Sequence, residues 1–172
     1  MKKPYFSEIF IWDHNRYKVD VYNSTNFDKL KKIEQVYGFI FDNGGKILLV
    51  NINNKWGLPG GTPETYDANW KETLKREVLE EADVEIENII PGFYLIFKGL
   101  DNKKAIKGIA VRCIANVKSV KSRTIDPATN KINKRKFVSK DQFIKSCHWG
   151  KNGEIQLKLA LKKYQNSLKV KK

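Results

Sequence analysis

Gly57-Leu58-Pro59-Gly60-Gly61-Thr62-Pro63-Glu64, followed after a short polar stretch by Arg76-Glu77-Val78-Leu79-Glu80-Glu81-Ala82-Asp83-Val84, decides how the chain is read. One proline and three glycines within five residues suit a tight loop that exposes its backbone, because a glycine lets another group approach where a side chain would block it. From about Asn69 to Ala82 the pattern is helical: Leu74, Val78 and Ala82 recur at i, i+4 and i+8, with Trp70 a turn earlier. The same helix has an acidic face. Glu77, Glu80 and Glu81 stand at i, i+3 and i+4, within an arc of about 100°. Carboxylates that close repel one another, and Lys75 and Arg76 relieve only part of this. Three glutamates alone describe a solvated helix face as well as a shell for a hard cation such as Mg²⁺ or Mn²⁺. The glycine loop immediately upstream, able to offer amides and carbonyls to a metal–phosphate group, decides for the cation.

Outward from this stretch the chain reads as strands. Residues 5–24 read as a hairpin, with Tyr5–Trp12 and Tyr17–Tyr22 rich in aromatic and β-branched residues around the turn-like Asp13-His14-Asn15-Arg16. Residues 24–34 are polar, suited to a short helix or linker. A second, more hydrophobic hairpin is expected from Gln35–Phe41 and Lys46–Ile52 around Asp42-Asn43-Gly44-Gly45. Beyond the helix, strands are expected at Phe93–Phe97 and Ile106–Val120, with a turn at Gly99–Lys103. A polar loop over 121–136, a short strand Lys136–Val138, a helix over 140–146 capped by Ser139, and a last helix over Gly153–Tyr164 complete the pass. Strands around one strong amphipathic helix argue an α/β (α+β) domain with helices packed on a mixed sheet.

Composition bounds the rest. The chain has 172 residues, 41% hydrophobic and 30% charged, enough for one domain with a filled core. No apolar run approaches the roughly 20 residues of a spanning helix, so no membrane role is expected. The basic start Met1-Lys2-Lys3-Pro4 is interrupted by Glu8 and Asp13 before any export core can form, and Cys113 and Cys147 make no disulfide framework. A soluble, cytoplasmic protein with two buried free thiols is the expectation. Net charge is +14, yet residues 64–87 hold nine of the nineteen acids against three bases. Either the acids form an island for cations, or the basic remainder attracts a polyanion, or both.

The central stretch resembles the Nudix hydrolase family, whose signature is G-x5-E-x7-R-E-U-x-E-E-x-G-U with U apolar. Arg76–Val84 matches the second half at every defined position except Asp83, where the family has glycine. Gly61 matches the opening glycine, and Trp56–Gly61 is similar to the segment that commonly leads into it. Asp67 stands six residues after Gly61, in the place of the first glutamate, and fourteen residues lie between Gly61 and Arg76 where the family has thirteen. The order of strands, helix, strands and closing helix is similar to a Nudix-like α/β/α sandwich over about 34–165. Residues 1–33 are then an N-terminal hairpin extension and linker, and 166–172 a basic tail.

The resemblance implies divalent-metal-dependent hydrolysis of a nucleoside diphosphate linked to some group X. Glu77, Glu80 and Glu81 would be the metal ligands, with the carbonyl of Gly60, and Mg²⁺ or Mn²⁺ the cofactor. Arg76 would orient the glutamates, and Glu77 would take the proton of the attacking water. Many members draw a further acid from a later segment; here Asp101, Asp126, Asp141 and Glu154 are what remains, with Asp126 able to swing in and Asp101 reading as turn chemistry. Asp83 is expected at a positive φ closing the helix.

For substrate contacts the sequence offers Trp56, Gly60, Gly61 and Tyr66 beside the loop, and a basic set (Lys98, Lys103, Lys104, Lys107, Arg112, Lys134, Arg135, Lys136) for phosphates, Lys134 and Arg135 foremost. The set favours a nucleoside triphosphate or dinucleoside polyphosphate. RNA enters as a candidate substrate or, in a binding module with impaired catalysis, as a ligand. Tyr5, Phe6, Phe10 and Trp12 are suited either to edge the pocket or to form a homodimer face.

Overall fold

A computed structural model of the chain describes residues 3–12, 14–101, 107–128 and 130–169. Among these, nine strands form one mixed sheet in the order β1-β2-β7-β8-β3-β4-β5, with β6 paired to β3 and β9 to β4. The strands are β1 (Phe6–Trp12), β2 (Asn15–Tyr22), β3 (Gln35–Phe41), β4 (Ile47–Ile52), β5 (Lys55–Gly57), β6 (Gly60–Gly61), β7 (Val84–Gly99), β8 (Lys107–Val120) and β9 (Lys134–Val138). The pairing of β3 with β8 is parallel, from Gln35 opposite Ala110 to Phe41 opposite Asn116; the others are antiparallel. Helix α1 (Trp70–Ala82) covers one face, while α2 (Lys140–Cys147) and α3 (Gly150–Lys169) cover the other.

Both faces being covered explains the apolar run Val36–Phe41 at the centre of the sheet, a strand buried on both sides. Leu74, Val78 and Ala82 of α1 have no solvent exposure and meet Val36, Ile40, Leu48 and Val111. On the opposite face Phe39, Phe41, Phe93, Leu95 and Ile114 meet Phe143, Leu157 and Leu159, and the Phe41 ring stacks on Tyr164 at 4.0 Å. Cys113 and Cys147 are buried free thiols, each pushed to higher pKa by burial.

The N-terminal hairpin forms as expected, though Asp13 of its turn lies outside the described residues, as does the Trp12 side chain. It extends the sheet: β2 pairs with β7 from Tyr17 opposite Gly99 to Tyr22 opposite Tyr94. Arg16 locks the join. Its backbone N–H donates to Asp101 Oδ2 at 2.6 Å and its Nε to Oδ1 at 2.8 Å.

Three expectations need correction. Strand β7 begins at Val84 rather than Phe93; Pro91 and Gly92 read as breaks, but register shifts after Glu85, Glu87 and Pro91 accommodate them as bulges. The glycine loop is partly strand, since Gly60 and Gly61 pair with Tyr37 and Val36. Residues 24–34, read as a short helix or linker, hold a single 3₁₀ turn, Phe27–Lys29, whose Phe27 is buried edge-on against Trp70. Helix α3 runs on through Lys169, so most of the expected tail is helical; residues 102–106 of the turn after Gly99 and residues 170–172 of that tail lie outside the described residues. No helix among the described residues is long and apolar enough to cross a membrane.

Candidate active site

Helix α1 starts where Asn69 accepts hydrogen bonds from Lys71 N at 2.9 Å and Glu72 N at 3.4 Å, satisfying amides that have no partner inside the helix. It ends at Asp83, in the left-handed conformation (φ 50°), with Asp83 N donating to Leu79 O at 2.9 Å. Aspartate does here what glycine would do and adds a second task. Its carboxylate accepts from Arg123 Nε at 3.2 Å and from Thr124 N at 3.1 Å. Although burial opposes ionisation, the Thr124 hydrogen bonds and the Arg123 charge hold its pKa below the ordinary range.

Arg76 is the hub of the site. Its Nε and Nη2 reach Asp67 at 3.1 and 3.0 Å, Nη2 also donates to Thr62 O at 3.0 Å, and Nη1 contacts Glu77 at 3.0 Å and Glu80 at 3.1 Å. One guanidinium therefore ties the loop to the helix and orients two of the three glutamates. Asp67, at the family's first-glutamate position, is a structural counter-ion: its side chain is 4% exposed, and the Arg76 hydrogen bonds hold its pKa at about 2.

Glu81 is the deepest of the three. Its Oε2 accepts from Gly60 N at 2.9 Å, and burial, with the charges of Glu77, Asp126 and Glu80 nearby, pushes its carboxyl up to about 8. Burial likewise raises Glu77. The glycines make room for this. A Cβ on Gly61 would lie 2.6 Å from Glu77 Cδ, and one on Gly60 (φ 142°) would lie 2.7 Å from Tyr37 Cα. Half-buried, mutually repelling oxygen donors in a cradle that any side chain would fill suit a hard divalent cation. In the arrangement seen here Glu77 and Glu80 rest on Arg76 and Glu81 on Gly60, and no three acidic, His or Cys groups among the described residues yet converge on one point.

Gly60 and Glu81 open onto a cleft of about 1080 Å³. Its floor is Gln35, Tyr37, Ala110 and Arg112, from the parallel pair β3 and β8; Trp56 and Trp149 form one wall, and Phe10, Tyr17 and Phe97 the other. Trp56 is thus placed beside the site as expected, under Lys136, whose Nζ lies 4.0 Å from its ring centre. Phe10 and Tyr17, stacked at 5.8 Å, show that the inner face of the hairpin edges the cleft.

Three proposed substrate contacts lie elsewhere. Tyr66 is 71% exposed, outside the cleft and beside Arg76. Lys134 is exposed on β9. Arg135 caps the helix: its Nη1 donates to Ala82 O and, at 3.0 Å, to Asp83 O, and Nη2 to Lys121 O at 2.8 Å. A cation placed on the last carbonyls of a helix answers their partial negative charge. Sequence reading missed Tyr37, Gln35, Trp149 and Gln156 near the cleft; their only signal was polar or aromatic residues within otherwise apolar strands and an amphipathic helix. Of the later acids, Asp126 is near enough to raise Glu81, buried and tied to Asn133 Nδ2 at 2.5 Å, while Asp101 serves the hairpin.

The NUDIX domain family pattern matches residues 31–156. The chain belongs to the Nudix hydrolase family. As a Nudix protein it is a hydrolase of phosphorus-containing anhydrides. A mutant form of the Bacillus subtilis pyrophosphohydrolase BsRppH shares the fold with a TM-score of 0.67 at 17% identity, over 91% of this chain and 97% of that one. An ADP-ribose pyrophosphatase from Streptococcus suis is similar at 0.53 and 24% identity (76% and 90% covered). The NUDIX domain of Shewanella oneidensis NrtR, complexed with ADP ribose, is similar at 0.52 and 20% (72% and 83% covered). Among curated proteins no sequence match is found.

Proposed function

We propose that the protein hydrolyses a nucleoside diphosphate linked to a group X, a nucleoside triphosphate or dinucleoside polyphosphate above all, with Mg²⁺ or Mn²⁺ as cofactor. The observation that carries this reading is Glu81 and Gly60 forming one end of an aromatic-lined cleft. Glu77, Glu80, Glu81 and the Gly60 carbonyl would hold the ion. When bound, it supplies neutralisation of the phosphate oxygens and a more acidic water. Arg76 keeps Glu77 and Glu80 aimed. Glu77, its pKa raised by burial, accepts the proton of the attacking water on its carboxylate. Trp56 and the hairpin rings stack on the substrate's ring, each at about 1–3 kcal/mol. RNA with a 5′ polyphosphate presents the same anhydride and belongs to the same substrate class. Phe10 being taken up by the cleft, a homodimer would use the hairpin's outer face, where Ile9 and Ile11 are exposed, and sedimentation tests it.

A nucleotide panel assayed chromatographically with Mg²⁺ or Mn²⁺ is expected to yield split anhydrides, with Glu81→Gln at least a hundredfold slower. Either ion is expected to raise the thermal midpoint of the wild type but not of Glu81→Gln. Turnover of no nucleotide, or full activity in Glu81→Gln, overturns the proposal. Salt-sensitive RNA binding without turnover favours a binding module instead.

A further inference from the structure

Of the basic residues that the sequence offered for phosphates, one lines the cleft. Lys98 and Lys134 are exposed away from it, Arg135 caps α1 and Lys136 lies over Trp56; Lys103, Lys104 and the Lys107 side chain lie outside what is described. Arg112 is different. It stands opposite Tyr37 in the parallel pair and is 7% exposed. Its Nε donates to Gln156 Oε1 at 2.8 Å, its Nη1 donates to Val111 O at a long 3.3 Å, and its guanidinium lies 4.9 Å from the Tyr37 ring centre. Gln156, itself 4% exposed, is fixed by donating from Nε2 to Asn152 Oδ1 at 2.8 Å.

Every one of these partners is neutral. Among the described residues no carboxylate forms an ion pair with Arg112, and burial lowers its pKa, though a guanidinium keeps its proton at neutral pH. A buried, uncompensated cation is costly, and a neutral side chain of similar length would fill the same space without that cost. The cleft that Arg112 lines is where an anion could reach and neutralise this charge.

We propose that Arg112 binds an anionic phosphate group of the substrate, one beyond the phosphate under attack, and so selects substrates with three or more phosphates in line. This rests on the reading of the cleft as the substrate site. Strand β6, carrying Gly60, pairs with β3, and β3 with β8, so Arg112 lies two strand spacings, about 10 Å, from the Gly60 backbone. Further phosphoryl groups of a chain can span that distance. Gln156 is a positioning residue, holding the guanidinium 4.9 Å from the Tyr37 ring centre.

The test uses tripolyphosphate as probe, with the full chain and no divalent cation, followed by calorimetry. The wild type and Glu81→Gln are expected to bind it, and Arg112→Met to bind at least tenfold more weakly, with a thermal midpoint equal to or above that of the wild type. Arg112→Lys is expected to recover part of the affinity. In turnover, Arg112→Met is expected to raise KM at least tenfold for a nucleoside triphosphate and less for a nucleotide sugar. Undiminished tripolyphosphate binding by Arg112→Met overturns the proposal, as does equal loss on both substrates. Should Arg112→Met fail to fold, the wild-type Arg112 Nε–H resonance decides: a shift on adding tripolyphosphate supports the proposal, and none overturns it. Tripolyphosphate binding through Arg112 in a protein that hydrolyses no nucleotide would sink the catalytic reading while leaving this one standing.

Discussion

Asp67 shows how a single side chain can leave the family's wording and keep its purpose. It is shorter than glutamate and sits on a loop one residue longer, yet its carboxylate meets Arg76 with two hydrogen bonds. Its pKa in the folded protein, about 2, lies below the ordinary carboxylate value. The sign follows: the stability it contributes is complete above about pH 4 and is lost as pH falls toward 2. Asp67→Asn is expected to cost about 2 kcal/mol at pH 7 and to flatten the wild type's loss of stability between pH 4 and 2, as read by denaturant melts across that range. The acidic helix face, the two glycines and Arg76 stood out in the sequence because they lie in one contiguous stretch, and the resemblance supplied the roles expected of them. Tyr66 and Arg135 were misplaced for the opposite reason. Proximity along the chain suggested substrate contact for the first and charge for the second, but direction depends on which carbonyls and rings lie nearby in space.

At the level of elements, the hairpin β1–β2 bears most on function. Its residues alternate strictly, Phe6 and Phe10 inward and Tyr5, Ile9 and Ile11 outward, so one face joins the core and the cleft. The matched family region begins at residue 31, so Phe10 and Tyr17, which join Phe97 in this wall, are added from outside it. Phe10→Ala is expected to raise KM for the preferred nucleotide about tenfold, equivalent to about 1.4 kcal/mol, with kcat little changed. Steady-state kinetics with thermal melts as a folding control would check it. The hairpin itself was plain from its aromatic, alternating sequence. Its attachment to β7 was not, because Tyr17–Tyr22 and Tyr94–Gly99 meet only across a long separation along the chain; Pro91 and Gly92 hid only how early β7 begins.

Across the whole molecule, charge is divided between an acidic centre and a basic remainder, for a net +14. Such a field draws in anions from beyond contact distance and is screened by salt. For a nucleoside triphosphate, kcat/KM is expected to fall severalfold between about 50 and 200 mM salt, mostly through KM, in initial-rate measurements. Helices packed on a mixed sheet were legible from the hydrophobic pattern, since the helix over 69–82 shows one apolar stripe and the central strand none of the alternation of a half-exposed one; the α/β/α layering came with the family resemblance. The floor of the cleft was not, because Tyr37 and Arg112 become neighbours only through a pairing between distant parts of the chain.

That pairing also constrains how the molecule comes into being. Strand β3 can find its parallel neighbour only after the polypeptide has been made as far as Asn116, and the hairpin waits for β7 in the same way. Closing such long loops costs entropy before any contact repays it, so folding is expected to be slower than in helical bundles built from local contacts. A nascent chain halted at Gly99 would carry the whole acidic helix with no sheet centre to support it, and would be inert.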